Sequence, residues 1–189
     1  MGKLTLILGG ARSGKSAYAE KLALQHNSRV AYIATAQALD EEMKSRISLH
    51  QEKRNQNWQT LEIPFGIGQI VQANPPSVDL VILDCLTLLV SNILLKVTSD
   101  PDTPDENLAQ NLVAEEIASL CQAIQRSSSN WIVVSNEVGM GLVPPYPLGR
   151  VYRDLLGWAN QELASVADRI YLMLAGIPMR LVPEPGDDS

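Results

Sequence analysis

Cysteine, histidine and aromatic residues are scarce in this chain of 189 residues. It has two cysteines, two histidines and one phenylalanine, and aromatic residues make up only 5% of it. Cys85 and Cys121 do not form a CxxC pair, and the two histidines do not complete a zinc site with them at any familiar spacing. We therefore interpret both cysteines as reduced, partly buried thiols without a redox or metal role.

Positive charge and long apolar runs are also in short supply. Lys and Arg number 15 against 21 Asp and Glu, which gives a formal net charge of −6 and a pI near 4.9. Non-specific nucleic-acid binding relies on basic side chains that neutralise phosphates, so we expect no nucleic-acid partner. No apolar stretch approaches the roughly 20 residues that span a bilayer, and the N-terminus leads directly into a short apolar run. We therefore expect a cytoplasmic protein without a membrane span or signal peptide.

The hydrophobic residues, 46% of the chain, form short runs that alternate with helical patterns. Short apolar runs bounded by turn residues predict strands, and apolar spacings of three and four predict helices. The predicted strands are residues 4–8, 30–34, 58–63, 78–83, 131–135, 169–174 and 179–182. The predicted helices are residues 15–25, 40–53, 86–97, 107–126 and 148–164.

This alternation predicts one α/β domain over residues 1–182. Because most of the predicted strands are apolar on both faces, we expect a mostly parallel sheet with helices on both faces, in three layers. Residues 98–106 are acidic and proline-rich, so we expect a solvated loop there. The tail at 183–189 is expected to be disordered.

The first predicted strand leads into a phosphate-binding motif. The chain fits G-x-x-x-x-G-K-[ST] with Gly9, Gly10, Ala11, Arg12, Ser13, Gly14, Lys15 and Ser16. Glycines let the backbone curl around a phosphate, and the following helix adds its positive N-terminal end. Lys15 is expected to reach the β- and γ-phosphates, and the Ser16 hydroxyl to bind Mg²⁺. An apolar strand before the motif and an amphipathic helix after it favour a P-loop over a chance glycine-rich turn.

Asp84 ends another predicted interior strand. An acidic residue there is typical of the magnesium site of a P-loop enzyme, although an aspartate could also cap the following helix. The loop alone does not identify the substrate. Small-molecule kinases, regulatory ATPases and GTPase switches all carry it, and the chain has neither an Asn-Lys-x-Asp motif nor an Arg-rich lid segment. From these residues alone, the chain is a P-loop phosphotransferase of unknown substrate.

His50 lies in a polar predicted helix with three basic residues nearby, Arg46, Lys53 and Arg54. A neutral imidazole can attack phosphorus, and the cations could hold the phosphates that it attacks. A single histidine on an exposed helix is, however, usually only a solvated side chain. The residues alone leave both interpretations open.

Several segments together resemble the bifunctional adenosylcobinamide kinase / adenosylcobinamide-phosphate guanylyltransferase family. Besides the P-loop, they include Tyr-Ile-Ala-Thr-Ala at 32–36, Arg-Ile at 46–47 with His50, Asp-Cys-Leu-Thr at 84–87 and Ala-Gly-Ile-Pro at 175–178. The most specific segment is Ser-Asn-Glu-Val-Gly-Met-Gly at 135–141, followed by Val-Pro at 143–144. The resemblance runs in order from the N-terminus to about residue 178.

The resemblance implies a P-loop NTPase-like, RecA-like fold and two activities. The kinase would phosphorylate adenosylcobinamide with ATP or GTP, with Mg²⁺ as cofactor. The transferase would then attach GMP from GTP through a guanylylated His50, giving adenosylcobinamide-GDP and pyrophosphate. The family pattern also assigns nucleotide binding to Ala34, Thr35, Ala36, Gln51, Glu52, Lys53, Arg54, Glu62 and Asp84, and it implies a homotrimer whose subunits share the active-site cleft.

Within this pattern, Arg54 is expected to clamp phosphate, and Glu62 could accept hydrogen bonds from guanine. Glu137 could contact the substrate or its magnesium, or it could only fix the geometry of its loop. Two rival functions stay open: a P-loop kinase without transferase activity, and a non-catalytic nucleotide switch that acts through a partner.

Overall fold

The computed structural model describes residues 2–25, 29–38, 41–53 and 55–182, and only the backbone of residues 42, 46, 49, 50, 52 and 53. Arg54 and the predicted tail at 183–189 lie outside the described residues. So do the side chains of His50, Glu52 and Lys53. Among the residues that are described, no helix is long and apolar enough to cross a membrane.

A seven-stranded sheet forms the centre of the fold, in the order β3-β2-β4-β5-β1-β6-β7. Every neighbouring pair is parallel except β6 and β7, which form an antiparallel hairpin. The strands are β1 Leu4–Gly9, β2 Val30–Ala34, β3 Gln59–Glu62, β4 Leu80–Asp84, β5 Asn130–Val134, β6 Arg169–Leu174 and β7 Ile177–Leu181. The helices are α1 Lys15–Gln25, α2 Glu41–Lys53, α3 Ile67–Ala73, α4 Leu86–Val97, α5 Glu106–Arg126 and α6 Pro147–Ser165.

The central strands are buried on both faces, as parallel strands usually are. Alternate residues such as Leu6, Leu83 and Val133 pack in a large cluster with α3, α4, α5 and α6. Their neighbours, including Ile7 and Ile82, pack in a smaller cluster beneath α1 on the opposite face. The predicted three-layer α/β fold with a mostly parallel sheet is therefore confirmed.

The predicted elements agree with the structure except at α3. The predicted bounds of α1, β2, α4 and β6 are the same as the observed ones, and the bounds of the other predicted elements differ by one or two residues. The expected acidic loop precedes α5, where the side chain of Asp105 accepts a 3.0 Å hydrogen bond from the Leu108 N–H and caps the helix. Helix α3 is absent from the sequence prediction.

The strand order brings the motifs together. Strand β5 lies between β1 and β4, and all three are parallel. The P-loop after β1, Asp84 at the end of β4 and the Ser-Asn-Glu segment after β5 therefore meet at one edge of the sheet. This carboxyl edge is where open α/β sheets bind their ligands.

Candidate active site

The P-loop needs two of its three glycines, Gly9 and Gly14, because of their close neighbours and their backbone conformation. A Cβ on Gly9 would lie 2.6 Å from the Met173 carbonyl oxygen and 2.7 Å from Ser13 Oγ. Gly14 has a φ of +94°, and a Cβ there would lie 3.3 Å from the Cα of Gly176. The Gly176 N–H also donates to the Ser13 carbonyl at 3.0 Å. The loop is thus held from below by the turn of the β6–β7 hairpin.

Lys15 lies inside the loop, with only 8% of the residue exposed. Its ammonium donates to the Gly10 carbonyl at 2.6 Å, which holds the side chain along the loop. Burial lowers the pKa of Lys15, and the charge of the nearby Asp84 opposes that change. A phosphate would favour the charged form in the same way, because it places negative charge beside the ammonium.

A cavity of about 880 Å³ opens beside the loop. It brings together most of the predicted nucleotide-binding residues that are described with their side chains: Ala11, Arg12, Lys15, Ser16, Ala34, Ala36, Gln51, Glu62 and Asp84. The other lining residues were not predicted to bind the nucleotide, although several lie in segments that carry the family resemblance; they are Tyr32, Ala38, Met43, Lys44, Ile47, Ser48, Cys85, Thr87, Leu88, Val134 and Asn136. The volume is within the range of pockets that hold a small-molecule ligand.

Thr35 does not line this cavity, although the family pattern assigns it to the nucleotide. Its hydroxyl donates to the Cys85 carbonyl at 2.7 Å and accepts from the Cys85 N–H at 2.8 Å. The residue is fully buried, and the amide of Asn92 donates to its carbonyl at 2.8 Å. Within the described structure Thr35 therefore joins β2 to the start of α4, and its side chain faces backbone groups and not the cavity.

Helix α2 forms one wall of the cavity. The lining residues Met43, Ile47 and Gln51 recur every four positions, so they lie along one side of the helix. The Gln51 amide donates to the Glu62 carboxylate at 3.2 Å, which joins this wall to β3. The backbone of His50 belongs to the same helix, three positions after Ile47 and seven after Met43. The polar helix predicted over residues 40–53 thus lies beside the cavity.

Asp84 lines the cavity, and one of its oxygens is engaged by the protein. The Tyr32 hydroxyl donates to Asp84 Oδ2 at 2.6 Å. The alternative role of Asp84 as a helix cap is wrong, because the N-cap of α4 is Cys85. Burial and, to a smaller degree, the charge of Asp84 raise the pKa of Cys85 to about 12, so its thiol is neutral near pH 7.

Hydrogen bonds of its backbone fix the segment after β5. The Asn136 N–H donates to Thr87 Oγ1 at 2.7 Å, and its carbonyl accepts from the Asn160 amide at 3.0 Å. The Glu137 N–H donates to the Gly9 carbonyl at 3.0 Å, which links this segment to the P-loop. The Glu137 carboxylate accepts from the Gly139 N–H at 2.6 Å. This last bond supports the role of Glu137 in fixing its own loop.

The sequence carries a signal for some of the cavity-lining residues that were not predicted. The spacing of Met43, Ile47 and Gln51 already indicates one side of a helix, and Tyr32 precedes Ala34 by two residues in a predicted strand, which places them on the same face. The partner of Tyr32 could not be found this way, because the pairing of β2 with β4 joins residues about fifty positions apart.

Sequence comparisons relate the chain to known proteins over almost its whole length. The sequence model of the family "Cobinamide kinase / cobinamide phosphate guanyltransferase" matches residues 5–181. The chain is 39% identical over 180 residues to "Bifunctional adenosylcobalamin biosynthesis protein CobU" of Escherichia coli (strain K12), with 94% of this chain and 99% of the relative covered. It is 41% identical over 180 residues to "Bifunctional adenosylcobalamin biosynthesis protein CobP" of Pseudomonas aeruginosa, with 95% and 98% covered. Among solved structures, a RadB recombinase matches with a TM-score of 0.47 at 15% identity, over 90% of this chain and 73% of that one.

Proposed function

We propose that this chain, which belongs to the cobinamide kinase / cobinamide phosphate guanyltransferase family, phosphorylates adenosylcobinamide and then transfers GMP from GTP to the product. The observation that carries the proposal is a single cavity. It is lined by the P-loop lysine, by the carboxylate of Asp84 and by the helix that contains His50. One cavity could therefore serve both a γ-phosphoryl and an α-phosphoryl transfer.

In the kinase step, the aminopropanol hydroxyl of adenosylcobinamide attacks the γ-phosphorus of ATP or GTP. A new P–O bond forms, the bond to the bridging oxygen breaks, and the nucleoside diphosphate leaves as the hydroxyl loses its proton. Lys15 and the N–H groups of the loop would stabilise the negative charge on the transferred group. The buried Lys15 is suited to this role, because an ammonium is more effective where water is excluded.

Ser16 and Asp84 are the residues that we propose to hold Mg²⁺. Both line the cavity beside Lys15, and both offer oxygen, the ligand type that Mg²⁺ prefers. Among the residues described with side chains, no group of three or more His, Cys, Asp or Glu could hold a metal. The pair of Ser16 and Asp84 fits Mg²⁺, which commonly takes one or two carboxylates together with substrate phosphates. The bound cation would neutralise charge on the phosphates.

In the transfer step, we propose that an imidazole nitrogen of His50 attacks the α-phosphorus of GTP. Pyrophosphate leaves, and a phosphoramidate joins GMP to the histidine. A phosphate oxygen of adenosylcobinamide phosphate then attacks the same phosphorus, the P–N bond breaks, and His50 is regenerated. The support is that the backbone of His50 belongs to α2, other residues of which line the cavity, together with the family pattern.

The remaining nucleotide contacts are proposed from the cavity and from the family pattern. Ala34 and Ala36 line the cavity beside Asp84, where their small side chains would leave room for a nucleotide. Glu62 could accept hydrogen bonds from guanine, and its bond to Gln51 would orient its carboxylate. Glu52, Lys53 and Arg54 stay predictions from the family pattern, with Arg54 as a phosphate clamp.

Covalent labelling tests the proposal. GTP labelled at the α-phosphate should leave label on the chain that survives alkali and is lost in acid, whereas γ-labelled GTP should leave none. His50→Ala should reduce this labelling at least about a hundredfold, because the nucleophile is missing. His26→Ala is the matched control, since it removes the other histidine of the chain, and it should label like the wild type.

Each rival function gives a different result in the same assay. Pyrophosphate release without any label on the protein would mean direct transfer and would remove His50 from the mechanism. Formation of the corrinoid phosphate with neither label nor pyrophosphate would leave a kinase alone. The absence of all three products, with nucleotide still bound, would favour the non-catalytic switch.

We also propose that the chain is a homotrimer, as the family pattern implies. The observation that supports an assembly is an apolar sheet face at the β6–β7 edge. It comprises Ile170, Leu172, Leu174, Ile177, Met179 and Leu181, and we call it the hairpin face. Antiparallel pairing sets Leu172 opposite Met179, and Leu174 opposite Ile177, on one side of the hairpin.

The cytoplasmic location of the chain stays a prediction.

A further inference from the structure

We propose that Tyr32 is a positioning residue, whose hydroxyl orients the Asp84 carboxylate for the divalent cation that accompanies the nucleotide. The inference rests on the proposed role of Asp84 as a magnesium ligand. It deepens that role by naming a residue that touches neither the cation nor the reacting atoms. Its basis is the 2.6 Å hydrogen bond from Tyr32 to Asp84 Oδ2.

The register of the sheet makes this contact possible. Strands β2 and β4 are parallel neighbours, with Tyr32 beside Ile82 and Ala34 beside Asp84. The backbone of Tyr32 is therefore two residues, or about 6.6 Å, further from the carboxyl edge than that of Asp84. Both side chains lie on the same face of the sheet. A tyrosine pointing along the strands towards the edge places its para-hydroxyl at the carboxylate. A phenylalanine at this position would keep the ring and lose only that donor.

The ring of Tyr32 is held before any ligand arrives. Only 3% of the residue is exposed, and it packs in the cluster beneath α1 with Ile82 and Val134. Trp58 stacks against the ring, with the centroids 6.4 Å apart and the planes 19° from parallel. A ring packed in this way keeps its rotamer, so the position of the hydroxyl is set by the core.

The hydrogen bond from Tyr32 limits the rotation of the Asp84 carboxylate about χ2. Rotation of an aspartate about χ2 is broad, so a carboxylate without partners samples many orientations. A hydroxyl that donates to a charged carboxylate makes a short, strong bond, and this one engages Oδ2. Hydrogen bonds behind a metal ligand fix its orientation, and their loss commonly weakens metal binding about tenfold or more. Tyr32 therefore prepares Asp84 for the cation.

The test compares four variants: Tyr32→Phe, Asp84→Asn, the double variant and the matched control Tyr171→Phe. Tyr171 packs edge-to-face against Tyr18, with the ring centroids 5.4 Å apart, so the control removes a phenolic hydroxyl from β6 instead of β2. The probe is Mn²⁺, followed by electron paramagnetic resonance in the presence of a non-hydrolysable GTP analogue. Nucleotide affinity is measured in parallel with excess EDTA, and neither readout depends on turnover.

We expect Tyr32→Phe to weaken Mn²⁺ binding about threefold to tenfold, with the metal-free nucleotide affinity within about twofold of the wild type. Tyr171→Phe should leave both values unchanged. In the Asp84→Asn background, adding Tyr32→Phe should cause no further loss, because the residue through which Tyr32 acts is altered. A purely structural role of Tyr32 would instead weaken nucleotide binding with and without metal alike.

Two failures are distinguishable. Normal Mn²⁺ binding in Asp84→Asn would overturn the proposed metal role of Asp84, and with it the site in the proposed function. A large loss in Asp84→Asn with normal binding in Tyr32→Phe would leave that site standing and overturn the inference about Tyr32. If Tyr32→Phe weakened Mn²⁺ binding as much in the Asp84→Asn background as in the wild type, the inference would also be overturned, because Tyr32 would then act by another route.

Discussion

Some side chains at the carboxyl edge of the sheet hold backbone segments in place and do not face the cavity. Thr35 is the clearest example, because its hydroxyl both donates to and accepts from the backbone of Cys85. The family pattern groups Thr35 with Ala34 and Ala36, which do line the cavity. A match to a motif therefore identifies a segment, whereas the structure separates the residues within it that could contact a ligand from those that support it.

Replacement of Thr35 by valine should lower stability. Valine has nearly the same shape, but it would leave the buried Cys85 N–H without its partner, at a cost of about 1–3 kcal/mol in the free energy of unfolding. The Cys85 carbonyl would keep its 3.3 Å hydrogen bond from the Leu89 N–H. Thr35→Ser keeps the hydroxyl and should lose clearly less. Urea unfolding of both variants measures the difference. If Thr35→Val were as stable as the wild type while nucleotide affinity fell, Thr35 would contact the nucleotide after all.

Among the elements, helix α3 depends on a distant part of the chain. Its N-cap is Gly66, which has a left-handed conformation and no capping side chain. The first N–H groups, those of Gly66 and Ile67, donate instead to the Glu116 carboxylate of α5, at 2.8 and 2.9 Å. Close contact with α5 is possible because residue 68 is glycine. A Cβ on Gly68 would lie 2.3 Å from the carbonyl carbon of Ser119.

The same glycine-to-alanine change should therefore have opposite effects in two helices. Gly68→Ala must push α3 away from the α5 backbone and should destabilise the chain by about 1–3 kcal/mol. Gly157 lies within α6, and a Cβ there would meet nothing within 4 Å. Gly157→Ala should therefore stabilise the chain by about 0.5–1 kcal/mol, because alanine is the better helix former. Thermal unfolding of the two variants would contradict this account if both shifted in the same direction.

Helix α3 also marks the limit of prediction from the sequence. The strands were predictable because most of them are short apolar runs bounded by turn residues, and the long helices because their apolar residues recur every three to four positions. Helix α3 has seven residues, and its start is capped by Glu116 from another helix, so no local signal announces it. In the site, the P-loop and Asp84 could be predicted from local motifs. The Tyr32–Asp84 and Gln51–Glu62 contacts could not, because they arise from strand pairing and from the position of α2.

At the scale of the whole molecule, the two edges of the sheet differ. The edge strand β3 is polar, with Gln59, Thr60 and Glu62 exposed. The opposite edge strand β7 is exposed at every residue, and its hairpin face carries Leu174 and Ile177 with 62% and 64% of their surface exposed. An apolar edge strand invites pairing or packing, whereas a polar one resists it. This asymmetry favours an assembly through the β6–β7 edge.

If the chain is a trimer whose subunits meet at the hairpin face, we expect two results. Light scattering should give the wild type a mass three times the 20.6 kDa of one chain. The double change Ile177→Lys with Met179→Lys should reduce the mass to that of one chain, because it buries two charges in an apolar contact. Leu24→Lys, at an exposed leucine of α1, is the matched control and should remain trimeric. A wild type of 20.6 kDa would refute the trimer, and a trimer that survives the double change would place the contact on another surface.

The hairpin face is also close to the phosphate site. Because the Gly176 N–H of the hairpin turn donates to the Ser13 carbonyl of the P-loop, a contact on this face would lie one hydrogen bond from that site. The monomeric variant should accordingly bind nucleotide more weakly than the Leu24→Lys control.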